Sequence, residues 1–218
     1  MRFLILLLSF AFSSTALAAR PFLTDDATVV DDYQIESWWQ QEDGESSFWL
    51  LPACNVSGVE LAAGAAKTAS GESNLFELSA KAELKPLQIN DYGVTAEVAY
   101  EFSSGNSLRG DTHVNFALTK SHMDDSVLIH FNLGRLLRYE QSNDWTAGVA
   151  LQLETLENHW VFLEGYREER GRPLYQLGYL TEILPERLQL DISYGNRLST
   201  KGGQDLFTAG LAYYFKAF

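Results

Sequence analysis

The sequence predicts an all-β protein that folds as an antiparallel, up-and-down transmembrane β-barrel of about twelve strands, with about ten as the alternative. Three observations support this fold class. The chain starts with a secretion signal, its body contains many short segments in which apolar and polar residues alternate, and its last segment carries an apolar row that ends in aromatic residues. Strands of outer-membrane barrels alternate in this way because one face contacts lipid and the other faces the lumen.

Residues 1–19 have the features of a signal peptide. A short basic start precedes residues 3–12, which are apolar except for Ser9, and small residues at 16–19 provide a cleavage site. The apolar run is too short for a membrane-spanning helix, which needs about 20 residues. We therefore expect export, with localisation in the outer membrane of a Gram-negative bacterium.

Residues 20–32 are polar and irregular, and we expect them to form a periplasmic segment that leads into a barrel over residues 33–218. Short alternating runs follow, separated by clusters of Gly, Asn, Asp, Ser and Pro. They predict strands at 33–42, 47–56, 59–66, 74–85, 92–102, 111–120, 126–139, 145–154, 159–167, 174–184, 188–197 and 206–215. Pro52 lies inside the second run and predicts a bulge or an interruption of the hydrogen-bond ladder.

The connections predict which end of the barrel faces the periplasm. An even number of strands places both chain termini at the periplasmic end. The connections expected at that end are near 57–58, 86–91, 121–125, 155–158 and 185–187. The connections at the outer end are a little longer, but they leave no room for an external enzyme domain or a separate plug domain.

The last segment predicts how the barrel is assembled. Its apolar row, together with the final residue of the chain, has the pattern of a C-terminal assembly signal: Phe207, Leu211, Tyr213, Phe215 and Phe218. We expect the barrel-assembly machinery to recognise it, and we expect outer-membrane lipid and lipopolysaccharide to surround the finished barrel.

Composition excludes several classes of partner. The net charge of −13 argues against nucleic-acid binding, which needs a basic surface. Aromatic residues make up 13% of the chain, enough for girdles at both membrane interfaces. Cys54 is the single cysteine, so no internal disulfide can form. No motif indicates a cofactor.

Acidic residues recur on the faces that the alternation places inside. They are Glu97, Glu101, Glu154 and Asp191. Basic candidates for the same faces are Lys81, Arg135, Arg167 and Arg197. If the lumen holds water, an acidic excess favours cations. If it is closed, the charges must pair across it, because an unpaired buried charge is costly. The sequence leaves both alternatives open.

Two polar pairs on consecutive strands predict a patch in the barrel wall. They are His113 with Asn115, and His130 with Asn132. A hairpin centred near residues 123–124 would place Asn115 opposite Asn132. The patch either contacts a ligand or fills the lumen with hydrogen bonds. Two histidines without a third ligand do not predict a metal site.

Hydrolase chemistry has little support in the sequence. The chain has four histidines and many serines, but no serine lies in a G-x-S-x-G context. We therefore do not expect an enzyme, and a membrane-embedded hydrolase ranks third among the functions considered.

The start of the mature chain resembles a known family. Residues 20–27 read R-P-F-L-T-D-D-A, with Arg20, Pro21, Thr24, Asp25, Asp26 and Ala27 matching, and residues 210–215 read G-L-A-Y-Y-F. This resembles outer-membrane barrels described as transporters linked to the meta-cleavage pathway of phenol degradation. The resemblance implies passive uptake of small compounds, apolar ones included, and supplies no catalytic residues.

The sequence thus predicts a narrow passive channel or transporter for small molecules of unknown identity. A closed structural or sensory barrel is the alternative.

Overall fold

The computed structural model describes residues 22–69, 71, 74–104, 109–168, 170–198 and 204–216. They form a closed barrel of twelve antiparallel strands, in which each strand pairs with its sequence neighbours and β12 pairs with β1. The strands are β1 (Tyr33–Glu42), β2 (Glu45–Val56), β3 (Val59–Thr68), β4 (Asn74–Lys85), β5 (Tyr92–Ser103), β6 (Gly110–His122), β7 (Val127–Leu137), β8 (Asp144–Leu156), β9 (His159–Glu168), β10 (Leu174–Leu184), β11 (Leu188–Arg197) and β12 (Gln204–Phe215).

The predicted fold class is confirmed, and the ten-strand alternative is wrong. None of the described residues forms a helix that is long and apolar enough to cross a membrane. The signal peptide at 1–19, Arg20, Pro21 and Phe218 lie outside the described residues, so their roles stay predictions.

Alternation sets the two faces of the barrel wall. In β12, Thr208, Ala212 and Tyr214 point inward and are buried, while Phe207, Leu211, Tyr213 and Phe215 point outward and are 37–42% exposed. The barrel closes where Tyr33 of β1 lies opposite Phe215, with the two rings stacked at 5.3 Å. The outward row at the end of the chain therefore also belongs to the closing seam. Its role as an assembly signal stays a prediction.

Pro52 interrupts a ladder without shifting it. The pairing of β2 with β3 skips Leu51 and Pro52, but its register is the same on both sides of the gap. This fits the missing N–H of proline. The register shifts lie elsewhere, next to periplasmic turns, as between Glu83 and Lys85 in β4. The predicted interruption is therefore present, and the bulge alternative is wrong for this position.

The β6–β7 turn corrects the predicted register of the polar patch. Three consecutive residues, Met123, Asp124 and Asp125, have positive φ, and the turn consists of residues 123–126. The hairpin is therefore centred between Asp124 and Asp125 instead of between Met123 and Asp124, which moves the pairing by two positions. Asn115 lies opposite Gly134, and Asn132 lies opposite Ala117.

The segment before β1 does not stay in the periplasm. Its described part, residues 22–32, turns back from the start of β1 and runs inside the barrel. Thr24 and Ala27 are fully buried, and Val30 is 4% exposed. The expected location of residues 20–32 is corrected on this point. The physical reason is that the inner wall supplies the polar partners that an irregular backbone needs.

Candidate functional site

The N-terminal segment, residues 22–32, is hydrogen-bonded to the inner wall along most of its length. Its backbone amides donate to side chains of β3, β6, β7 and β9. The bonds with normal distances are Leu23 to Glu164 (3.1 Å), Asp25 to Asn132 (2.8 Å), Ala27 to Thr119 (2.8 Å) and Val30 to Glu60 (2.8 Å), and the Thr24 amide also donates to Glu164. The segment therefore crosses the lumen between opposite walls.

Lys81 anchors the segment by charge. Its Nζ lies 2.8 Å from Asp25 Oδ1 and 3.3 Å from Asp26 Oδ1, and its side chain is only 5% exposed. Burial raises the pKa of the Asp25 carboxyl, and Lys81 opposes this rise by favouring the ionised form. Removal of one partner from such a buried pair is strongly destabilising, because the other charge is left without compensation.

Apolar contacts fix both ends of the segment. The Phe22 ring lies 4.4 Å from the Phe162 ring and 5.4 Å from the His130 ring. At the periplasmic end Val30 belongs to a buried cluster with Ala53, Ala62, Ala212 and Tyr214. These contacts narrow the periplasmic half of the lumen.

A cavity of about 490 Å³ remains inside the barrel. It extends from Asp111, Arg138 and Glu168 near the outer end down to Asp26 and Glu60. Most of its wall comes from β1–β6 and from the N-terminal segment. Its carboxylates are Asp25, Asp26, Glu36, Glu60, Glu77, Glu97, Glu101, Asp111 and Glu168, against Lys81 and Arg138 as the cations. The size is in the usual range for small-molecule sites.

The predicted acidic residues occupy three different environments. Glu97 and Glu101 line the cavity. Asp191 lies in the inner wall of β11, is 9% exposed, and does not border the cavity. Glu154 is on the inward row of β8 but lies at the periplasmic rim, where it is exposed and accepts a hydrogen bond from Ser126. The inward direction alone therefore does not define a shared site.

Two of the predicted basic residues point the other way. Lys81 and Arg197 face inward, and Arg197 Nε lies 2.6 Å from Glu42. Arg135 and Arg167 face outward, because they share the phase of the exposed residues Leu133 in β7 and Leu163 in β9. Their expected place in the lumen is wrong.

The polar patch is assembled, but it holds the N-terminal segment rather than open space. Asn115 Nδ2 donates to Asn132 Oδ1 at 2.7 Å, and Asn132 Nδ2 donates to the carbonyl of Asp25 at 2.7 Å. His130 Nδ1 lies 2.9 Å from Thr119 Oγ1, which also accepts the Ala27 amide. These contacts favour the structural interpretation of the patch.

His113 lies apart from the other members of the patch and borders the cavity, with its Nε2 2.9 Å from Thr146 Oγ1. No group of three or more His, Cys, Asp or Glu in the described part of the chain has a metal-binding arrangement.

The described residues also contain no serine hydroxyl hydrogen-bonded to a histidine ring. The histidine partners there are Thr119, Thr146, Gln152 and the Tyr179 hydroxyl.

Several residues of the site were missed in the sequence. Glu36, Glu60, Glu77 and Glu164 follow the same inward phase as Glu97, and the alternation of β1 and β9 could have found Glu36 and Glu164. Arg138 lies just beyond β7 and contacts Asp111, Asp144 and Glu168. The strand predicted at 126–139 includes Arg138 in the inward phase of His130 and Asn132, so the alternation could have found it as well.

An apolar outer surface, a polar lumen and closure by twelve antiparallel strands define the class of outer-membrane β-barrels. The chain belongs to the family described as Uncharacterised conserved protein UCP029691, which matches residues 6–213. A comparison with curated proteins finds no match.

Solved structures share the fold. The KdgM porin aligns with a TM-score of 0.67 at 12% identity, over 84% of this chain and 99% of the porin. The NanC porin aligns with a TM-score of 0.60 at 9% identity, over 84% and 100%. An active-site mutant of outer membrane phospholipase A from Escherichia coli has a TM-score of 0.50 at 11% identity, over 93% and 96%. At these identities the similarity concerns the fold.

Proposed function

We propose that this protein is a narrow passive channel for small solutes in the outer membrane, and that it favours cations. The observation that carries the proposal is the cavity of about 490 Å³ that reaches the outer end of the barrel and is lined by carboxylates. A pore lined by one sign of charge concentrates solutes of the opposite sign. No chemical step is required of any residue.

Because the cavity lining is acidic, we expect this chain to take solutes of a different charge from the one bound in a KdgM structure. One KdgM structure is a complex with disordered oligogalacturonate, which is a polyanion. Glu77, Glu97 and Glu101 would repel a polyanion here. The resemblance of residues 20–27 to phenol-linked transporters adds small aromatic compounds as a solute class, and the lining favours those with a positive charge.

The N-terminal segment forms the constriction of the proposed channel. Below the cavity, a solute can cross the lumen only by passing between the segment and the inner wall, unless the segment first moves out of the lumen. The position of the segment in the lumen also favours a second candidate, a closed structural or sensory barrel. The segment is held there by Lys81 and by backbone hydrogen bonds.

Conductance in planar bilayers tests the two candidates. The mature chain and a variant without residues 20–30 are refolded, checked for heat-modifiable electrophoretic mobility, and recorded in a salt gradient. We expect a small conductance with a cation-selective reversal potential, and a conductance at least several-fold larger in the variant. A folded mature chain that conducts nothing, with a folded variant that also conducts nothing, would establish the closed barrel. Anion selectivity would contradict the role of the carboxylates.

A further inference from the structure

The outward rows of the barrel are almost free of carboxylates. In the described strands they contain Asp205, which accepts hydrogen bonds from Tyr194 and Asn196, while the other strand carboxylates belong to inward rows. The outward rows do contain cations, among them Lys67, Lys120, Arg135 and Arg167. An Arg facing lipid costs about 2–4 kcal/mol at the bilayer midplane and roughly 0–1 kcal/mol near the interface. All four lie near strand ends, as this cost requires.

Two of these cations are close together at the outer end. Arg135 in β7 lies opposite Trp145 in β8, and Arg167 in β9 lies opposite Ala147, two residues further along β8. Strand spacing and residue rise place their Cα atoms about 12 Å apart. The Arg135 guanidinium lies over the Trp145 ring at 4.8 Å. Both arginines can therefore reach the same membrane interface.

Neither arginine has an acidic partner among the described residues. By contrast, Arg138 and Arg170, in the connections at the same end, share Asp144 at 3.2 and 2.6 Å. Two guanidinium groups thus remain available for an anion at the surface of a strongly acidic protein. An arginine fork binds phosphate through two parallel N–H donors.

The outer surface directly below the two arginines carries small side chains. Ala147 and Gly165 are outward residues of β8 and β9. An added Cβ at Gly165 would find only Val149 Cγ1, at 4.0 Å. Leu133 lies opposite Ala147, and Leu163 precedes Gly165 by two residues on β9; the two side chains are 57% and 54% exposed. The surface therefore offers a shallow apolar depression under a pair of cations.

We propose that this outward face of β7–β9 binds a phosphorylated glycolipid of the outer leaflet, a lipopolysaccharide molecule. Its phosphates contact Arg135 and Arg167, and an acyl chain lies over Ala147 and Gly165. Trp145 is 52% exposed and lies between the phosphate contacts and the acyl-chain surface. Aromatic residues at this level anchor barrels at the membrane interface. The site does not depend on whether the lumen conducts.

Native mass spectrometry of the detergent-solubilised full chain tests this site, with lipid A as the probe. Wild type is compared with R135Q/R167Q and with the control K67Q/K120Q, which removes two outward cations that lie outside the proposed site. We expect the arginine variant to bind lipid A at least about tenfold more weakly, and the control to change by less than about twofold. Equal binding by all three proteins would overturn the proposal.

Two further comparisons separate phosphate recognition from other causes. Wild type should bind fully dephosphorylated lipid A about as weakly as R135Q/R167Q binds the phosphorylated form. The charge-preserving variant R135K/R167K should regain part of the affinity, which a folding defect would not allow. Undiminished binding of dephosphorylated lipid A would show that only the acyl chains are recognised and would also overturn the proposal.

Discussion

The inner wall of β3–β5 and the inner wall of β10–β12 differ, although both alternate in the same way. The first combines small side chains with the charges of Glu60, Glu77, Lys81, Glu97 and Glu101, and it borders the cavity. The second is packed without reaching the cavity. Its buried members include Leu174, Gln176, Leu180, Gln189, Ser193, Leu206 and Thr208.

Close approach explains why the second wall leaves little space. A Cβ on Gly210 would lie 2.5 Å from Asp191 Oδ2, and a Cβ on Gly178 would clash with the Phe162 ring. In both cases the larger side chain lies over the glycine directly opposite it on the neighbouring strand. The comparison shows that alternation determines which way a side chain points, whereas the volume of the inward side chains determines whether space remains.

The largest effect expected is the release of the N-terminal segment from the β3–β5 wall by Lys81→Met. Breaking a buried ion pair costs about 3–5 kcal/mol. The control is Lys85→Met on the same strand, because Lys85 pairs with Asp91 at the exposed rim, where such pairs contribute about 0–1 kcal/mol. To measure release, Thr28 in the segment is replaced by cysteine in a Cys54→Ser background, and the rate at which a maleimide labels this cysteine is recorded.

Lys81→Met should speed labelling at least about tenfold, and Lys85→Met should change it by less than about twofold. Equally slow labelling in both folded variants would mean that backbone hydrogen bonds alone hold the segment.

A second test compares the two faces of one cavity strand. Val98 faces outward at mid-strand and is 49% exposed, and Ala99 lines the cavity. Val98→Arg should destabilise the barrel by about 2–4 kcal/mol, because the charge enters lipid. Ala99→Arg should cost less than about 1 kcal/mol, because Glu97 and Glu101 are on the same face. Urea titrations in phospholipid vesicles measure both, and equal costs would contradict the assignment of faces.

The smallest expected effect is a change in ion selectivity, which distinguishes the inner wall of β3–β5 from the inner wall of β10–β12. Glu97→Gln with Glu101→Gln should lower the cation-to-anion permeability ratio roughly twofold, because both side chains border the proposed route. Asp191→Asn should leave the ratio unchanged, since Asp191 is buried in the packed wall. Reversal potentials give the ratio for each variant. An equal loss from Asp191→Asn would place the route on the other side of the lumen.

Much of the barrel could be predicted because its signal is local. The direction of Phe207, Phe131 or Glu97 follows from period two, and the strand bounds follow from turn residues. The Asn115–Asn132 register could not be predicted, because moving the centre of the turn by one residue moves every pair by two positions without changing either face. Arg135 and Arg167 were placed inside on charge alone, although the phase of Leu133 and Leu163 puts them outside.

The position of the N-terminal segment could not be predicted for a different reason. Residues 22–32 have no periodicity, and most of their partners in the barrel wall are 30 or more residues away in the chain, as for Val30 with Glu60 and Ala27 with Thr119. Only the folded barrel brings Lys81, Asn132 and Glu164 together around the T-D-D-A motif at 24–27.

The path of the N-terminal segment has a practical consequence for protein engineering. Because Phe22 lies deep in the lumen, any affinity tag fused ahead of it would start inside the barrel and compete for the space of the cavity. Lys216 follows β12 directly at the opposite terminus, where a fusion would crowd the seam with β1. Epitopes are therefore better inserted after Glu140 in the β7–β8 connection, which lies at the outer end, is away from both constraints and leaves Arg138 with its ion pairs in place.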